Sequence, residues 1–192
     1  AKENYTELKD MPEFYKNAVI AVEDRRFYEH GPIDLIAITR AVFVNIKSWE
    51  LQEGGSTITQ QLAKNIYFTQ EKSALRKVAE LFMAYEIEKN CDKDTILELY
   101  LNTSYFGDGY YCVAEASRGY YKKEPKDMNR NEASMLAGIP NAPSAYCPTK
   151  HLDLAKKRQN QVLDKMVRYE FITAKEKEEI LNESNAVEDN KD

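Results

Sequence analysis

The stretch GGSTITQQLAKN, residues 54–65, decides how the chain is read. Two glycines open it and let the backbone bend sharply or approach another group closely. Thr57 followed by Gln60 has the form of a capping box, which predicts a helix over about 57–65. The first turn of a helix leaves backbone N–H groups unpaired. Ser56, Thr57 and Thr59 add hydroxyls there, Gln60, Gln61 and Asn65 add amides, and Lys64 adds a cation one turn after Gln60. Such a set suits a phosphorylated, sugar-like ligand. A plain loop-to-helix junction has the same composition. The stretch is no P-loop, because the order GxxxxGK[ST] is absent.

Outward from this point the pattern is helical nearly throughout. Upstream, Phe14, Ala18, Ala21 and Val22 predict a helix over 13–30, stopped by Gly31-Pro32. The apolar run IDLIAITRAVFVNI, 33–46, fits a buried helix or one lying against a bilayer. Downstream, 71–90 reads as one long helix with Leu75, Val78, Phe82 and Tyr85 along one side. Asp92 caps a helix over 93–102, and a tyrosine- and glycine-rich segment follows at 105–111. Asn131 is the expected cap of a short helix ending at Gly138, before the loop marked by Pro140, Pro143 and Pro148. An amphipathic helix follows over 153–169, and Thr173 with Glu176 forms a capping box before 174–181. The remainder, 182–192, is polar and acidic and reads as a loose tail or interdomain linker. There is no internal repeat and no convincing sheet pattern. The expectation is an all-α fold of many short helices around a cleft.

With 192 residues the chain can bury one sizeable core. A net charge of −5 argues against nucleic acid as partner while leaving room for a local basic cleft. The 3 cysteines, Cys91, Cys112 and Cys147, give neither a disulfide framework nor a zinc spacing. The 2 histidines, His30 and His151, are too few for a histidine-rich metal centre. No run approaches the length of a membrane-spanning helix.

Two segments carry ionisable groups in patterns that matter. In EDRRFYEH, 23–30, a continuous helix would align Glu23, Arg26 and His30 on one face. Glu23 follows the apolar run AVIAV, so it sits at the edge of the core. Desolvation there would raise its proton affinity towards that of a useful base. The same spacing also describes a surface ion pair worth roughly 0.2–0.5 kcal/mol. In 71–90, Arg76 and Glu80 are i, i+4, Lys77 lies one turn from Glu80, and the Glu80 face continues through Met83, Ala84 and Ile87. Charges on a stripe that turns apolar demand partners, or else mark ordinary helix ion pairs.

Taken together, EDRRFYEH (23–30), GGSTITQQLAKN (54–65), RKVAE (76–80), KDTILELYLN (93–102) and YFGDGYY (105–111) occur in an order that closely resembles the peptidoglycan glycosyltransferases of family 51. These are monofunctional transglycosylases or the first domain of class A penicillin-binding proteins. EASMLAGIPNAPSAYCP (132–148) resembles the family's later segment. The resemblance implies a lysozyme-like, all-helical domain over 1–181, with a large head lobe and a small jaw lobe near 35–53 that sinks into the membrane surface. Ile36 to Ile46 with Trp49 would suit such an interfacial element, and core packing is the other reading of that run.

The resemblance implies polymerisation of lipid II into β-1,4-linked glycan with inversion and release of undecaprenyl pyrophosphate. Glu23 matches the family's catalytic general base. Lys64, Arg76 and Lys77 match the basic residues around the pyrophosphate, with Arg26 in the same electropositive cleft. Glu80 matches the second carboxylate, which either holds the basic residues or helps coordinate a divalent ion, Mg²⁺ or Mn²⁺. His30, Gln60, Gln61 and Asn65 would shape the site, and Ser56 and Thr57 would touch substrate or cap the helix. The implied partners are lipid II, the growing glycan strand, the bacterial plasma membrane and other cell-wall synthesis proteins, with moenomycin as inhibitor. The implied location is the outer face of that membrane, with an N-terminal transmembrane anchor absent from this chain. Against the family pattern, Pro32 follows Gly31, Cys112 stands where glycine is usual, and Cys147 replaces the common asparagine. Two other accounts share parts of this pattern: a lysozyme-type or lytic wall hydrolase, which has no use for Lys64, Arg76 and Lys77, and a non-catalytic membrane-interface module, which would tolerate loss of Glu23.

Overall fold

The computed structural model describes residues 4–36, 39, 55–67 and 74–189. Within them the regular structure is helical, with no β-strand. The helices are α1 (Glu13–Glu23), α2 (Ile58–Tyr67), α3 (Ala74–Asn90), α4 (Lys93–Thr103), α5 (Val113–Tyr121), α6 (Arg130–Gly138), α7 (Pro143–Tyr146), α8 (Leu152–Arg168), α9 (Ala174–Leu181) and α10 (Ala186–Asp189). No helix among the described residues is long and apolar enough to cross a membrane. Most of the expected jaw segment, 35–53, lies outside the described residues.

The chain divides into two compact units, Ala1–Arg25 with Leu101–Asp192, and Arg26–Tyr100. In the first, α1, α6 and α8 pack against one another. Each contributes an apolar stripe: Tyr15, Ala18, Val19 and Val22 from α1, Ala133, Leu136 and Ala137 from α6, and Ala155, Val162, Leu163 and Met166 from α8. Burying such stripes is what gives short helices their stability.

α1 ends at Glu23, seven residues before the expected stop, so Glu23, Arg26 and His30 do not share a helical face. Asp24 leaves the helix at φ −159°, and its N–H closes the last turn on Ile20 O. Extending the stripe Tyr15–Ala18–Val19–Val22 by helical spacing reaches Arg25, Arg26, Glu29 and His30, all polar. The turn that replaces this helix allows Phe27 to be fully buried in the second unit.

Caps follow local chemistry more closely. Asp92 Oδ1 accepts the Thr95 N–H at 2.8 Å, and the Thr173–Glu176 box is complete. α6 is capped by Asn129, not Asn131. Asn129 accepts the Glu132 N–H and Glu132 reaches back to the Asn129 N–H, a full box. Asn131 is buried and donates to the carbonyls of Ile180 and Glu183. α5 was not anticipated. Its cap is Cys112, in extended backbone, whose sulfur accepts the Glu115 N–H. At that φ of −154° a side chain costs nothing, so cysteine serves where glycine is usual.

The expected tail is docked as far as it is described. Asn185 and Val187 are buried, α10 packs on α5, and Glu183 pairs with Arg130 at 2.6 Å.

In the second unit α2 packs on α3, with Ile58, Leu62 and Ala63 buried from α2 and Ala84 and Ile87 from α3. The side of α3 that carries Leu75, Val78, Phe82 and Tyr85 is turned outward: Leu75 is 82% exposed, Val78 50%, Phe82 71% and Tyr85 60%. Both stripes of α3 have helical spacing, so periodicity cannot choose between them. The packing on α2 selects the stripe of Glu80, Ala84 and Ile87, where the small Ala84 permits close approach.

Candidate active site

In the first unit, Glu23 ends α1 with its side chain only 6% exposed. Arg158 of α8 faces it, with Nη2 3.6 Å from Oε1. Seven residues on, Lys165 donates from Nζ to Val22 O at 3.2 Å. A cation at the C-terminus of α1 complements the helix dipole and satisfies one of its terminal carbonyls. Arg158 and Lys165 escaped the sequence reading. Their signal was present: Arg158 stands three residues after Ala155 and four before Val162, inside the buried stripe of α8. A charge at an inward register requires a partner.

In the second unit the polar stretch that opens α2 divides in two. Thr57 and Gln60 are buried and bind the same carbonyl: Thr57 Oγ1 donates to Pro32 O at 3.1 Å, and Gln60 Nε2 does so at 2.9 Å. Thr57 Oγ1 also accepts the Gln60 N–H, the first half of the expected capping box. Thr59 is buried against Glu88, and Gln61 accepts from the Tyr100 hydroxyl. Lys64 and Asn65 are exposed.

Around α3 the nominated charges meet. Glu80 is 2% exposed, with Arg76 Nε 2.9 Å from Oε1 and Lys77 Nζ 3.0 Å from Oε2. Lys77 also donates to Ser56 Oγ at 3.0 Å, tying the residue before α2 to α3. Arg26 donates from Nε to Asp34 Oδ2 at 3.2 Å, and Asp34 is buried. Asp34 too was missed, although an acid at the head of an apolar run is a visible anomaly. His30 is half-buried, with Nδ1 against Gly31 O. Thus Ser56, Arg76, Lys77 and Glu80 form one cluster, Thr57 and Gln60 share an anchor on Pro32, and Glu23 belongs to the other unit with Arg158.

The segment Phe106–Tyr110 forms a tight turn in which Gly107, Asp108 and Gly109 all have positive φ. Asp108 pairs with Lys150 at 2.8 Å and accepts from the Thr149 hydroxyl. These two bonds hold its carboxyl below the usual carboxylate range. Cys147, in place of the common asparagine, is buried with Sγ 3.1 Å from Thr149 Oγ1 and 3.6 Å from the Tyr120 hydroxyl. A surface pocket lined by Asn4, Tyr5, Asn102, Tyr111, Cys112 and Glu115 contains none of the nominated residues.

A family model described as transglycosylase matches residues 1–167. This chain belongs to the transglycosylase family. Among the relatives of this transglycosylase chain, penicillin-binding protein 1A of Neisseria lactamica is 46% identical over 95% of the chain and 23% of the relative. Penicillin-binding protein 1F of Bacillus subtilis (strain 168) is 47% identical over 88% of the chain and 24% of the relative. The transglycosylase chain therefore spans about a quarter of the length of the relatives it matches. A crystal structure of penicillin-binding protein 1A from Haemophilus influenzae is similar at a TM-score of 0.46 and 28% identity, over 66% of this chain and 16% of that one.

Proposed function

We propose that the protein polymerises lipid II into β-1,4-linked glycan strands by a single inverting displacement. Glu23 takes the proton from the 4-hydroxyl of the acceptor N-acetylglucosamine. The oxygen attacks the anomeric carbon of the lipid-linked donor, and undecaprenyl pyrophosphate leaves with the bonding pair. A pyrophosphate already leaves well, so charge neutralisation serves it better than a strong acid. Arg76 and Lys77 supply that charge, with Lys64 and Arg26. The observation that carries this reading is that the family match spans every one of these residues.

Glu80 holds the cations in this scheme. Arg76 and Lys77 stand 2.9 and 3.0 Å from its two oxygens, which supports the holding role, and no step is drawn through a metal ion. The reading carries with it the lysozyme-like head and jaw implied by the family, moenomycin in the donor cleft, and a place on the outer face of the plasma membrane. Support for a lipid surface comes from the exposed stripe of α3 and from Leu35 and Ile36, 71% and 55% exposed.

The test is gel analysis of glycan made by the full-length protein from labelled lipid II. A ladder of polymer that disappears with Glu23→Gln is expected. Turnover of that variant near the parental rate rejects Glu23 as base, and lysis of a wall suspension without lipid II would point to a hydrolase.

A further inference from the structure

We propose that Arg158 is the positioning residue of Glu23: it fixes the carboxylate through their ion pair and does not act on substrate. The inference rests on the reading of Glu23 as general base.

Arg158 is built into its place. Its side chain is 11% exposed, and a guanidinium cannot shed its charge on burial. Four groups from four parts of the first unit surround it. Glu23 of α1 supplies the counter-charge at 3.6 Å. Gly138 O at the end of α6 accepts from Nε at 3.4 Å. Gln161 Oε1 of α8 accepts from Nη1 at 3.2 Å, and the Tyr146 ring of α7 lies 5.6 Å from the guanidinium carbon. The planar fork is thereby held on several sides, which a lysine ammonium would not be.

Gly138 shows that the stem has its own space. A Cβ there would stand 2.8 Å from Arg158 Cγ and 3.3 Å from Val162 Cγ2. The backbone at Gly138 is helical, so the demand for glycine arises from this approach and not from conformation.

The Arg158–Glu23 separation suits an orienting role. At 3.6 Å Nη2 is within ion-pair reach of Oε1, so the guanidinium attracts the carboxylate towards one direction. Glu23 is the terminal residue of α1, and Arg158 reaches its side chain from α8. Proton transfer tolerates little misplacement of the base.

The experiment measures kcat and KM for lipid II in the full-length protein carrying Arg158→Ala, Arg158→Lys or Gly138→Ala, with thermal melting of each. Arg158→Ala should lower kcat on the order of 10²-fold, with KM within about twofold. Added methylguanidinium should restore part of the Arg158→Ala rate and none of the Glu23→Gln rate, and Arg158→Lys should fall between parent and Arg158→Ala. Should Arg158→Ala fail to fold, Gly138→Ala decides, since it displaces the stem and keeps the charge; its kcat should fall with KM held. A folded Arg158→Ala with parental kcat, or a loss confined to KM, overturns the inference while Glu23→Gln remains inactive. An active Glu23→Gln overturns the base assignment itself.

Discussion

Glu80 Oε1 and Arg76 Nε stand 2.9 Å apart, one turn apart on α3, and Glu80 is almost wholly buried. The pair is local, i to i+4, yet it faces the packed side of the helix. Removing one partner of a buried pair typically costs about 3–5 kcal/mol, because the other charge is stranded. Lys77, whose side chain is 48% exposed, can turn to water when its acid is lost, so the low end is expected here. Glu80→Ala should thus destabilise by about 3 kcal/mol. Glu80→Gln should lose most of the same amount, since it keeps the shape and discards the charge. Urea unfolding of both variants checks this. A midpoint for Glu80→Gln equal to that of the parent would mean the ion pair contributes nothing to stability.

Gly119 lies in the last turn of α5, where helical backbone ordinarily favours alanine by up to about 1 kcal/mol. Here the sign should reverse. A Cβ at 119 would fall inside the van der Waals envelope of the Tyr110 ring, which packs edge-on against Tyr120 with centroids 5.0 Å apart. Tyr120 in turn donates to Phe106 O at 2.8 Å, so displacing Tyr110 disturbs both ends of the Phe106–Tyr110 turn. Gly119→Ala should destabilise by about 1–3 kcal/mol, the usual cost of overpacking. Thermal melting together with tyrosine near-ultraviolet dichroism reads this directly. A stabilised variant would show that the ring moves aside freely.

How much of this could be read from sequence depends on the range of the interaction. Asp92 and the Thr173–Glu176 box act over three residues, and both caps stand where the letters put them. The choice of Asn129 over Asn131 was also local and legible, since only Asn129 has an acid three residues on. The outward stripe of α3 was not legible, because the identity of the packing partner selects between two equally periodic faces. The Arg158–Glu23 pair depends on a contact between residues 135 positions apart, on α1 and α8. The resemblance to a family named the carboxylate but not its neighbour. Cys112 as a cap was hidden for a different reason: sulfur is outside the usual set of capping residues.

Asp108 and Lys150 make a pH dependence whose sign is fixed. The Asp108 carboxyl is held below its ordinary range by the Lys150 and Thr149 bonds, so its contribution is complete above the unfolded value of about 3.9. It is lost as pH falls through the lower, folded value. Lys150 is raised by the same bond, so its part is present at neutral pH and lost only as pH climbs through a value above about 10.4. Asp92, bonded by Thr95, and Glu176, bonded by Thr173, are likewise lowered and steepen the acid side. Asp108→Asn should destabilise at neutral pH, and the gap between parent and variant should close as pH drops below about 4. Unfolding midpoints at a series of pH values test it. A gap that persists undiminished in acid would mean that the asparagine disturbs the turn itself, where residue 108 sits at φ 49°.

Leu75 and Phe82, two turns apart on the outward side of α3, bear on the membrane reading. If that side meets a lipid surface, replacing both by serine should leave stability within about 0.5 kcal/mol, as at other exposed positions. Membrane binding should respond differently. Burying each side chain is worth about 1.5–3 kcal/mol, so losing both should weaken partition onto vesicles by at least on the order of 10²-fold. Vesicles of phosphatidylethanolamine and phosphatidylglycerol, sedimented with the 192-residue chain and its Leu75→Ser/Phe82→Ser variant, provide the measurement. Sedimentation should fall for the variant while its melting curve stays with the parent. A melting curve that collapses with vesicle binding unchanged would mean that these side chains pack against protein, and the lipid surface would have to lie elsewhere.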